Sequence, residues 1–246
     1  MLNKIYNMDC IEGMKRIPDK SIDMILCDPP FGTTKNEWDK IIPFEPLWEQ
    51  YERIIKNNGA ILLFSQQPFT AQVVLSNPKM FRYEWIWQKT KSTGFMNAKK
   101  MPLKSHENIL VFYKNLPTYN PQGIVTGVQY ITGRTRKGKS RNYGQTGCGD
   151  AGYIQTTANY PKDIIQFSNP SNKGHFHPNQ KPVALLEYLI KTYTNEGEIV
   201  LDNCMGSGST AIACINTGRN YIGFEISKEY CNIANKRLEE IKNGIF

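Results

Sequence analysis

The sequence has no long hydrophobic run and few of the residues that build covalent or metal-held scaffolds. No stretch reaches the ~18 consecutive apolar residues that a membrane-spanning helix needs. The six cysteines are scattered without a C-x-x-C pair, which argues against a disulfide framework or a zinc site. His175 and His177 lie close together, but no paired cysteines or acids stand near them. Because the start of the chain also lacks the apolar core of a signal peptide, we expect a cytoplasmic protein with no metal and no membrane partner.

The basic residues are concentrated in the middle of the chain. Residues 79–178 contain fifteen Lys and Arg against four Asp and Glu, a net charge of +11, whereas the remainder carries −3. The hydrophobic fraction of 40% is that of a globular, core-forming protein. A positive segment between near-neutral flanks favours a polyanionic partner, most simply nucleic acid. A solubilising basic surface is the alternative that composition leaves open.

Short apolar runs alternate with segments of helical periodicity along most of the chain. A helix is predicted over 44–59, with Asn57-Asn58-Gly59 as its stop, and others over 181–197 and 227–244 with Ser227 as an N-cap. The alternation predicts an α/β fold with a doubly wound, mainly parallel sheet. The predicted strands are 21–27, 59–65, 107–113, 198–204 and 220–226.

A glycine-rich turn follows one of these strands in the stretch IVLDNCMGSGST. Asp202 ends the strand, Gly206-Ser207-Gly208 follows, and a helix is expected to begin near Ser209. A second acid, Glu225, ends the next strand at the spacing by which dinucleotide folds hold ribose hydroxyls. A tight strand-to-helix turn would explain the glycines alone. The acid beside the loop would repel a pyrophosphate, so a nucleoside with a positive group, such as S-adenosylmethionine, fits better.

The stretch MILCDPPFGT, residues 24–33, ends a buried strand on a carboxylate, two prolines and an aromatic ring. Methyl transfer to an exocyclic amino group is difficult because the nitrogen lone pair is delocalised into the base. The Asp28 carboxylate, and a backbone carbonyl held rigidly by Pro29 and Pro30, can accept the two amino hydrogens. Phe31 can stack on a base taken out of the duplex. An ordinary turn explains the prolines but neither the acid nor the ring.

These motifs resemble those of the amino-group DNA methyltransferases. DPPF at 28–31 is similar to the catalytic motif of that family, and DNCMGSGST at 202–210 is similar to its cofactor loop. The catalytic motif comes first and the basic region lies between the two, which resembles the circularly permuted beta class. The resemblance covers nearly the whole chain. It implies a Rossmann-like fold, S-adenosylmethionine as cofactor with S-adenosylhomocysteine as product, and a bacterial or phage origin.

The resemblance also implies which residues meet the cofactor. NMDCIEGM is similar to the segment whose acid meets the adenine, and HPNQKPVALLEYLI resembles the motif whose lysine approaches the methionine end. The family commonly has Asp-Pro-Phe where this chain has Asp202-Asn203-Cys204, so an aromatic contact beside the cofactor is missing or supplied elsewhere. The expected cofactor-binding residues are Asp9, Cys10, Asp28, Lys181, Asp202, Gly206, Ser207, Gly208, Ser209 and Glu225.

The resemblance implies a site-specific DNA methyltransferase acting on a flipped-out base, with Asp28, Pro29, Pro30 and Phe31 as the catalytic residues. An acid at position 28 is more typical of adenine-N6 enzymes, and serine there of cytosine-N4 enzymes. Adenine N6 is therefore the expected target, and cytosine N4 is the alternative. A non-catalytic nucleic-acid-binding protein with a relic fold is a further reading, against which the intact motif argues. Methylation of RNA or of a protein glutamine amide also stays open.

The predicted organisation is a catalytic half (1–115), a target-recognition insert (116–178) and a cofactor-binding half (179–246). Residues 85–113 resemble the part that flanks the target-base pocket; Trp85 and Trp87 alternate like core residues of a strand. His106 either touches the base or caps the strand after it. Double-stranded DNA is the expected partner, and a homodimer and a cognate restriction endonuclease are compatible with the class. The expected DNA contacts are Lys89, His106, Arg134, Arg136, Lys137, Lys139 and Arg141.

Overall fold

The structure, a computed structural model, describes residues 1–34, 36, 39–131, 139–140, 144–145, 154–170 and 180–243. The chain forms two compact units, Met1–Asn120 with Asp163–Phe246, and Pro121–Lys162. The helices are α1 Cys10–Met14, α2 Phe44–Ile54, α3 Phe69–Ser76, α4 Val183–Tyr193, α5 Ser209–Asn216 and α6 Lys228–Lys242. The strands are β1 Lys4–Asn7, β2 Ile22–Cys27, β3 Ile55–Ser65, β4 Phe81–Thr93, β5 Lys104–Phe112, β6 Val125–Ile131, β7 Lys139–Ser140, β8 Gly144–Gln145, β9 Ile154–Ala158, β10 Ile164–Phe167, β11 Ile199–Asp202 and β12 Asn220–Glu225.

The larger unit is built on one eight-stranded sheet in the order β1-β12-β11-β2-β3-β5-β4-β10. Only β5 runs against its neighbours, since it pairs antiparallel with both β3 and β4. The carboxyl ends of the other seven strands therefore lie at one edge of the sheet, together with the start of β5. Ligands bind at this edge in open α/β sheets. The predicted mainly parallel, doubly wound fold is confirmed.

Two apolar cores cover the two faces of this sheet. Helices α4, α5 and α6 pack on one face through residues such as Leu189 and Leu238, and α1, α2 and α3 pack on the other through residues such as Tyr51. All six residues of β2 are buried, as expected for a central strand covered on both faces. Trp85 and Trp87 are buried in the first core, as their alternation predicted.

The predicted helix over 44–59 was too long. Helix α2 ends at Ile54, and Ile55 is already extended and opens β3, where it pairs with Ile22 of β2. Gly59 therefore lies inside a strand and is not a helix stop. A Cβ at this position would stand 2.8 Å from the Asp23 carbonyl oxygen, so glycine permits the close approach of two strands at a register shift. Ser227 is the N-cap of α6 and accepts from the Tyr230 N–H at 3.4 Å, as predicted.

The smaller unit, Pro121–Lys162, contains the antiparallel pair β6–β9 and the short pair β7–β8. It is narrower than the insert predicted over 116–178, because Ile164–Phe167 form β10 at the edge of the main sheet. Arg134, Arg136, Lys137 and Arg141 lie outside the described residues, as does the side chain of Lys139. Within the described part of the chain, no helix combines the length and apolar character needed to cross a membrane.

Candidate active site

The carboxyl edge of the sheet opens into a cleft of about 1400 Å³ in the larger unit. The topology explains its lining, because β2, β11 and β12 all end there on an acid or immediately before one. The DPPF stretch and the glycine-rich turn, 170 residues apart in sequence, therefore face one cavity. Of the predicted catalytic and cofactor residues, all but Gly208 line it; the lining includes Asp9, Cys10, Asp28, Pro29, Pro30, Phe31, Lys181, Asp202, Gly206, Ser207, Ser209 and Glu225.

Asp28 belongs to a chain of alternating charges that crosses the cleft wall. The Lys181 ammonium lies 2.6 Å from Asp28 Oδ2 and 3.2 Å from Glu107 Oε2. Glu107 Oε1 lies 2.6 Å from the Lys89 ammonium. The side chains of Lys181, Lys89 and Glu107 are all at least nine-tenths buried. Two carboxylates and two ammonium groups balance, which allows the burial of four charges that would be costly alone.

The protonation of this network follows from burial and pairing. Burial raises the pKa of Asp28 to about 6, against the lowering effect of Lys181. Burial alone would also raise the pKa of Glu107, but Lys181 and Lys89 outweigh it and the pKa is lowered. The pKa of Lys181 is raised, since the two carboxylates outweigh the effect of its burial. Above about pH 6 Asp28 is therefore a carboxylate held by a protonated lysine.

Asp28 Oδ1 is the oxygen that the network leaves free. It is buried, it has no hydrogen-bond partner, and it belongs to a residue that lines the cleft. An unpaired buried carboxylate oxygen is costly in free energy unless a ligand satisfies it. The arrangement therefore offers one fixed acceptor for a hydrogen-bond donor that enters the cleft.

The loop after DPPF is held by a residue that the sequence did not single out. The Asp39 carboxylate accepts from the backbone N–H groups of Gly32, Thr33 and Thr34 at 2.6–2.9 Å. These hydrogen bonds outweigh the effect of burial and lower the pKa of Asp39. Phe31 stacks on Phe69 with ring centroids 5.1 Å apart, so one face of its ring is already covered. The loop held by Asp39 and the ring contact with Phe69 together fix the position of Phe31 in the cleft wall.

The glycine-rich turn is shaped by its two strand-end acids. Asp202 accepts from the Cys204 N–H at 3.0 Å and from the Thr210 hydroxyl at 2.6 Å, and burial raises its pKa to about 7. Glu225 accepts from the N–H groups of Gly206 at 2.7 Å and Ser227 at 2.8 Å, and burial raises its pKa. Both acids therefore hold backbone near the turn: Glu225 does so with both of its oxygens, and Asp202 with one, while its other oxygen holds the Thr210 hydroxyl.

Gly208 is the last residue of the turn, directly before α5, and has a positive φ of 84°. A Cβ there would stand 3.0 Å from the Ala234 methyl group, so the turn needs glycine for both conformation and space. Helix α5 begins at the next residue, Ser209, as predicted. The Ser209 hydroxyl is buried without a hydrogen-bond partner and lines the cleft. It is thus a second unsatisfied polar group aimed at a ligand.

The remaining predicted residues occupy different places. Asp9 caps α1 by accepting from the Glu12 N–H at 3.1 Å and also lines the cleft. Lys89 lines the cleft within the buried charge network. His106 lies inside β5, exposed and outside the cleft lining, so it does not cap the strand. Tyr230, near the start of α6, is an aromatic side chain that lines the cleft, in a chain that has Cys204 where the family commonly has Phe.

Sequence reasoning missed the partners of the predicted residues. Glu107 and Asp39 were not among the predicted site residues, and only the fold brings them to Lys181 and to the DPPF loop. Asn203 stands in the glycine-rich motif, and its amide oxygen accepts from the buried Tyr51 hydroxyl at 2.6 Å. Among the described residues, no group of three or more His, Cys, Asp or Glu side chains is placed to hold a metal ion.

The sequence of this chain matches a known protein family. A family model described as DNA methylase, covering N6 and N4 enzymes, matches residues 22–236. The chain is 28% identical to the DNA adenine methyltransferase YhdJ of Escherichia coli K12, over 96% of this chain and 82% of the relative. Strand β1, helix α1 with its cap Asp9, and the end of α6 lie outside the matched residues.

Solved structures agree with the family match. The M1.HpyAVI–SAM complex is 26% identical, with a TM-score of 0.64 and coverage of 96% of this chain and 98% of that one. The cytosine-N4-specific PvuII DNA methyltransferase is 16% identical, with a TM-score of 0.68 and coverage of 97% and 89%, and shows the shared fold alone. With a sheet, a cleft and two motifs placed as the match requires, this chain belongs to the N6/N4 DNA methylase family.

Proposed function

We propose that this protein transfers a methyl group from S-adenosylmethionine to the N6 amino group of an adenine flipped out of duplex DNA. Membership of the N6/N4 family makes it a site-specific DNA methyltransferase that depends on S-adenosylmethionine. The observation that supports the proposed site best is the unpaired, buried Asp28 Oδ1 in a cleft shared with the glycine-rich turn. The identity of the target base and the roles of the residues are the parts of this proposal that the experiments below test.

In this proposal the chain prepares the amino group for attack. Asp28 Oδ1 accepts one N–H of the target amino group, and the Pro29 carbonyl accepts the other. The nitrogen lone pair is thereby drawn out of conjugation with the ring and directed across the cleft. Positive charge that develops on the nitrogen as the N–CH3 bond forms lies beside the Asp28 carboxylate, which stabilises it electrostatically and can then take the proton that the methylated amine loses. Lys181 holds the other carboxylate oxygen, so Asp28 need not reorganise during the step.

The residues at the glycine-rich end fit the cofactor. S-adenosylmethionine, when bound, supplies a methyl group activated by the neighbouring positive sulfur. Glu225 has lone pairs left for ribose hydroxyls, since a carboxylate can accept about four hydrogen bonds. The Ser209 hydroxyl and the start of α5 are available to the carboxylate of the methionine end. Asp9, Cys10 and Tyr230 line the part of the cleft that would receive the adenine.

The choice of adenine rests on the acid at position 28 and on the likeness to an adenine methyltransferase. Cytosine N4 carries the same kind of exocyclic amino group, and the cytosine-N4-specific PvuII enzyme shares the fold. The same carboxylate and carbonyl would serve either base. Cytosine N4 is therefore the second candidate target.

The function is tested by incubating the purified protein with labelled S-adenosylmethionine and unmethylated genomic DNA, then identifying the labelled nucleoside. We expect N6-methyladenine. N4-methylcytosine would replace the proposed base while leaving the reaction class intact. Label on RNA or protein, with none on DNA at several salt concentrations, would overturn the DNA proposal.

The rate of methyl transfer should depend on the protonation of Asp28. Because its pKa is raised to about 6, the acceptor is charged at neutral pH and is neutralised as the pH falls. We expect kcat/KM for DNA, which reports the pKa of the free enzyme, to fall about tenfold between pH 7 and pH 5. Initial rates at DNA concentrations well below KM, across this pH range, check the prediction. A flat profile down to pH 5 would show that the carboxylate charge is not required.

The proposed partner is double-stranded DNA, read in part by the basic middle of the chain. Fifteen Lys and Arg fall within residues 79–178, and phosphate contacts from such residues position a protein on duplex DNA. Target recognition by the region 116–178 is part of this proposal. A homodimer, a cognate restriction endonuclease and a cytoplasmic location stay predictions from the sequence.

A further inference from the structure

The hairpin between β4 and β5 carries an unusual group of exposed apolar side chains at its tip, residues 94–103. Phe95 is 81% exposed and Met96 is 99% exposed, and Met101 and Leu103 are also exposed. Single exposed apolar residues are common on protein surfaces. Four within ten residues of one hairpin tip are a concentration of exposed apolar side chains, and exposed apolar surface of this kind can mark a binding surface.

This tip is a defined turn. Gly94 has a φ of 86°, and its carbonyl accepts from the Asn97 N–H at 2.9 Å at the start of a 3₁₀ helix, Phe95–Asn97. The base of the hairpin is closed by the Ser92 and Ser105 hydroxyls, which lie 2.8 Å apart. Asn169 joins both the N–H and the carbonyl of Lys91, at 3.1 and 3.2 Å. Phe95 and Met96 therefore lie at the tip of a hairpin whose turn and base are held by hydrogen bonds.

The charges around the tip favour a polyanion over a protein partner of mixed charge. Lys91, Lys99, Lys100 and Lys104 flank the apolar residues, and no acidic residue occurs between Glu84 and Glu107. Two such tips would repel each other, which argues against pairing with a second copy through this surface. Apolar side chains surrounded by lysines match the combination of base stack and phosphates in DNA.

The hairpin also leads directly to the active-site cleft. Its base, residues 90–94, and its partner residue Lys104 line the same cavity as Asp28 and Phe31. A duplex whose target base entered that cavity would have its disrupted stack next to the tip. The gap left by an extruded base is apolar on its two stacked faces, and an aromatic ring with a flexible thioether can fill it.

We propose that Phe95 and Met96 form a wedge that enters the DNA stack at the target position and stabilises the flipped-out base, while Lys99 and Lys100 contact the adjacent phosphates. The inference rests on the proposed function and adds a second DNA-contacting element to it. Apolar wedges between base steps are a general means of opening DNA. The wedge acts on duplex opening and not on the chemical step.

The test uses two duplexes made once the methylated sequence is mapped from genomic DNA methylated in vitro. One duplex has the target base paired, and the other has it opposite an abasic site, where extrusion is easier. For F95A/M96A we expect the Kd to rise at least tenfold on the paired duplex and less than threefold on the abasic one. The matched control is L2A/L75A, which removes two side chains 46% and 76% exposed that lie outside the proposed recognition region and do not line the cleft.

Several outcomes would overturn the wedge. An unchanged Kd on the paired duplex, or an equal loss on both duplexes, contradicts a role in opening the stack. A wild-type dimer that F95A/M96A converts to a monomer, with DNA binding unchanged, would identify the patch as a subunit contact. If the wild type methylates no DNA, the proposed function itself fails, which is distinguishable from failure of the wedge. Unfolding midpoints of both variants should match the wild type because all four side chains are exposed.

The lysines provide an independent measurement. K99A/K100A should reduce the slope of log Kd against log salt by about 1 to 2, since each phosphate contact contributes about 0.9. It should affect the paired and abasic duplexes equally, because phosphates are present in both. An unchanged salt slope would overturn the phosphate contacts assigned to this tip.

Discussion

Replacing Asp28 with alanine will lower the single-turnover rate of methyl transfer by about 10³-fold, the scale seen when one preorganised polar group is removed from a transition-state site. The variant loses the acceptor Oδ1 and the negative charge beside the amino nitrogen, while the glycine-rich turn stays intact. We therefore expect the Kd for S-adenosylmethionine to change less than about threefold, measured by calorimetry. That split between rate and cofactor affinity is the signature of a group that acts on the substrate amine.

The control for D28A is Asp19→Ala, which removes an acid that is 71% exposed. It should retain wild-type turnover. Asp28→Asn adds a second comparison, because it keeps an oxygen acceptor but loses the charge and the ion pair with Lys181. Turnover of D28N between those of D28A and the wild type would separate hydrogen-bond acceptance from charge. Residual turnover of D28A above about a tenth of wild type would contradict the role given to this carboxylate.

Replacing Lys181 with methionine will cost both stability and activity. The substitution keeps an unbranched chain of similar length but leaves Asp28 and Glu107 as two buried acids without their shared cation. Removing one member of a buried ion pair typically costs about 3–5 kcal/mol of unfolding free energy. Because Lys181 lowers the pKa of Asp28, its loss should also move the acid limb of the pH–rate profile to higher pH. Urea unfolding and single-turnover rates from pH 5 to 9 measure the two effects.

Lys15→Met is the matched control, since it breaks an ion pair with Glu12 in which both side chains are more than half exposed. It should leave stability and the pH profile unchanged. Adding Asp28→Asn to K181M removes the carboxylate that has lost its cation, while Glu107 keeps its ion pair with Lys89, and should restore part of the lost stability. A K181M variant with a wild-type pH profile would show that Lys181 supports the fold without acting on Asp28.

The sequence predicted those parts of the site in which the chemistry and its support lie within one short motif. Asp28 and Phe31 follow a strand directly, and Gly208 and Ser209 mark a strand-to-helix turn, so local patterns were sufficient for both. The position of Lys181 near the methionine end stays a prediction from the resemblance, and its ion pair with Asp28 was not predicted. That pairing joins residues 153 positions apart. No local pattern contains information of this kind.

The errors in the predicted helices and strands also arise from contacts between residues distant in sequence or from patterns too short to recognise. Gly59 reads as a helix stop because it follows two asparagines, but its close approach to the Asp23 carbonyl is a contact between two strands. Strand β10 was missed since four residues beside an irregular basic segment carry too little periodicity to stand out. The central strands were predicted because burial on both faces forces a continuous apolar run.

Strand β4 has a consequence for how such an enzyme can diversify. Its two sides hold both attachment points of the middle segment, because β5 pairs with it up to Phe112 and β10 pairs with it from Ile164 onward. The connection between those points can therefore lengthen, shorten or be exchanged while β4 keeps its pairing with β5 and β10. A graft between Phe112 and Ile164 leaves Asp28, Lys181 and the glycine-rich turn untouched. If this connection recognises the target sequence, as proposed, a change of target sequence would leave the catalytic residues unchanged.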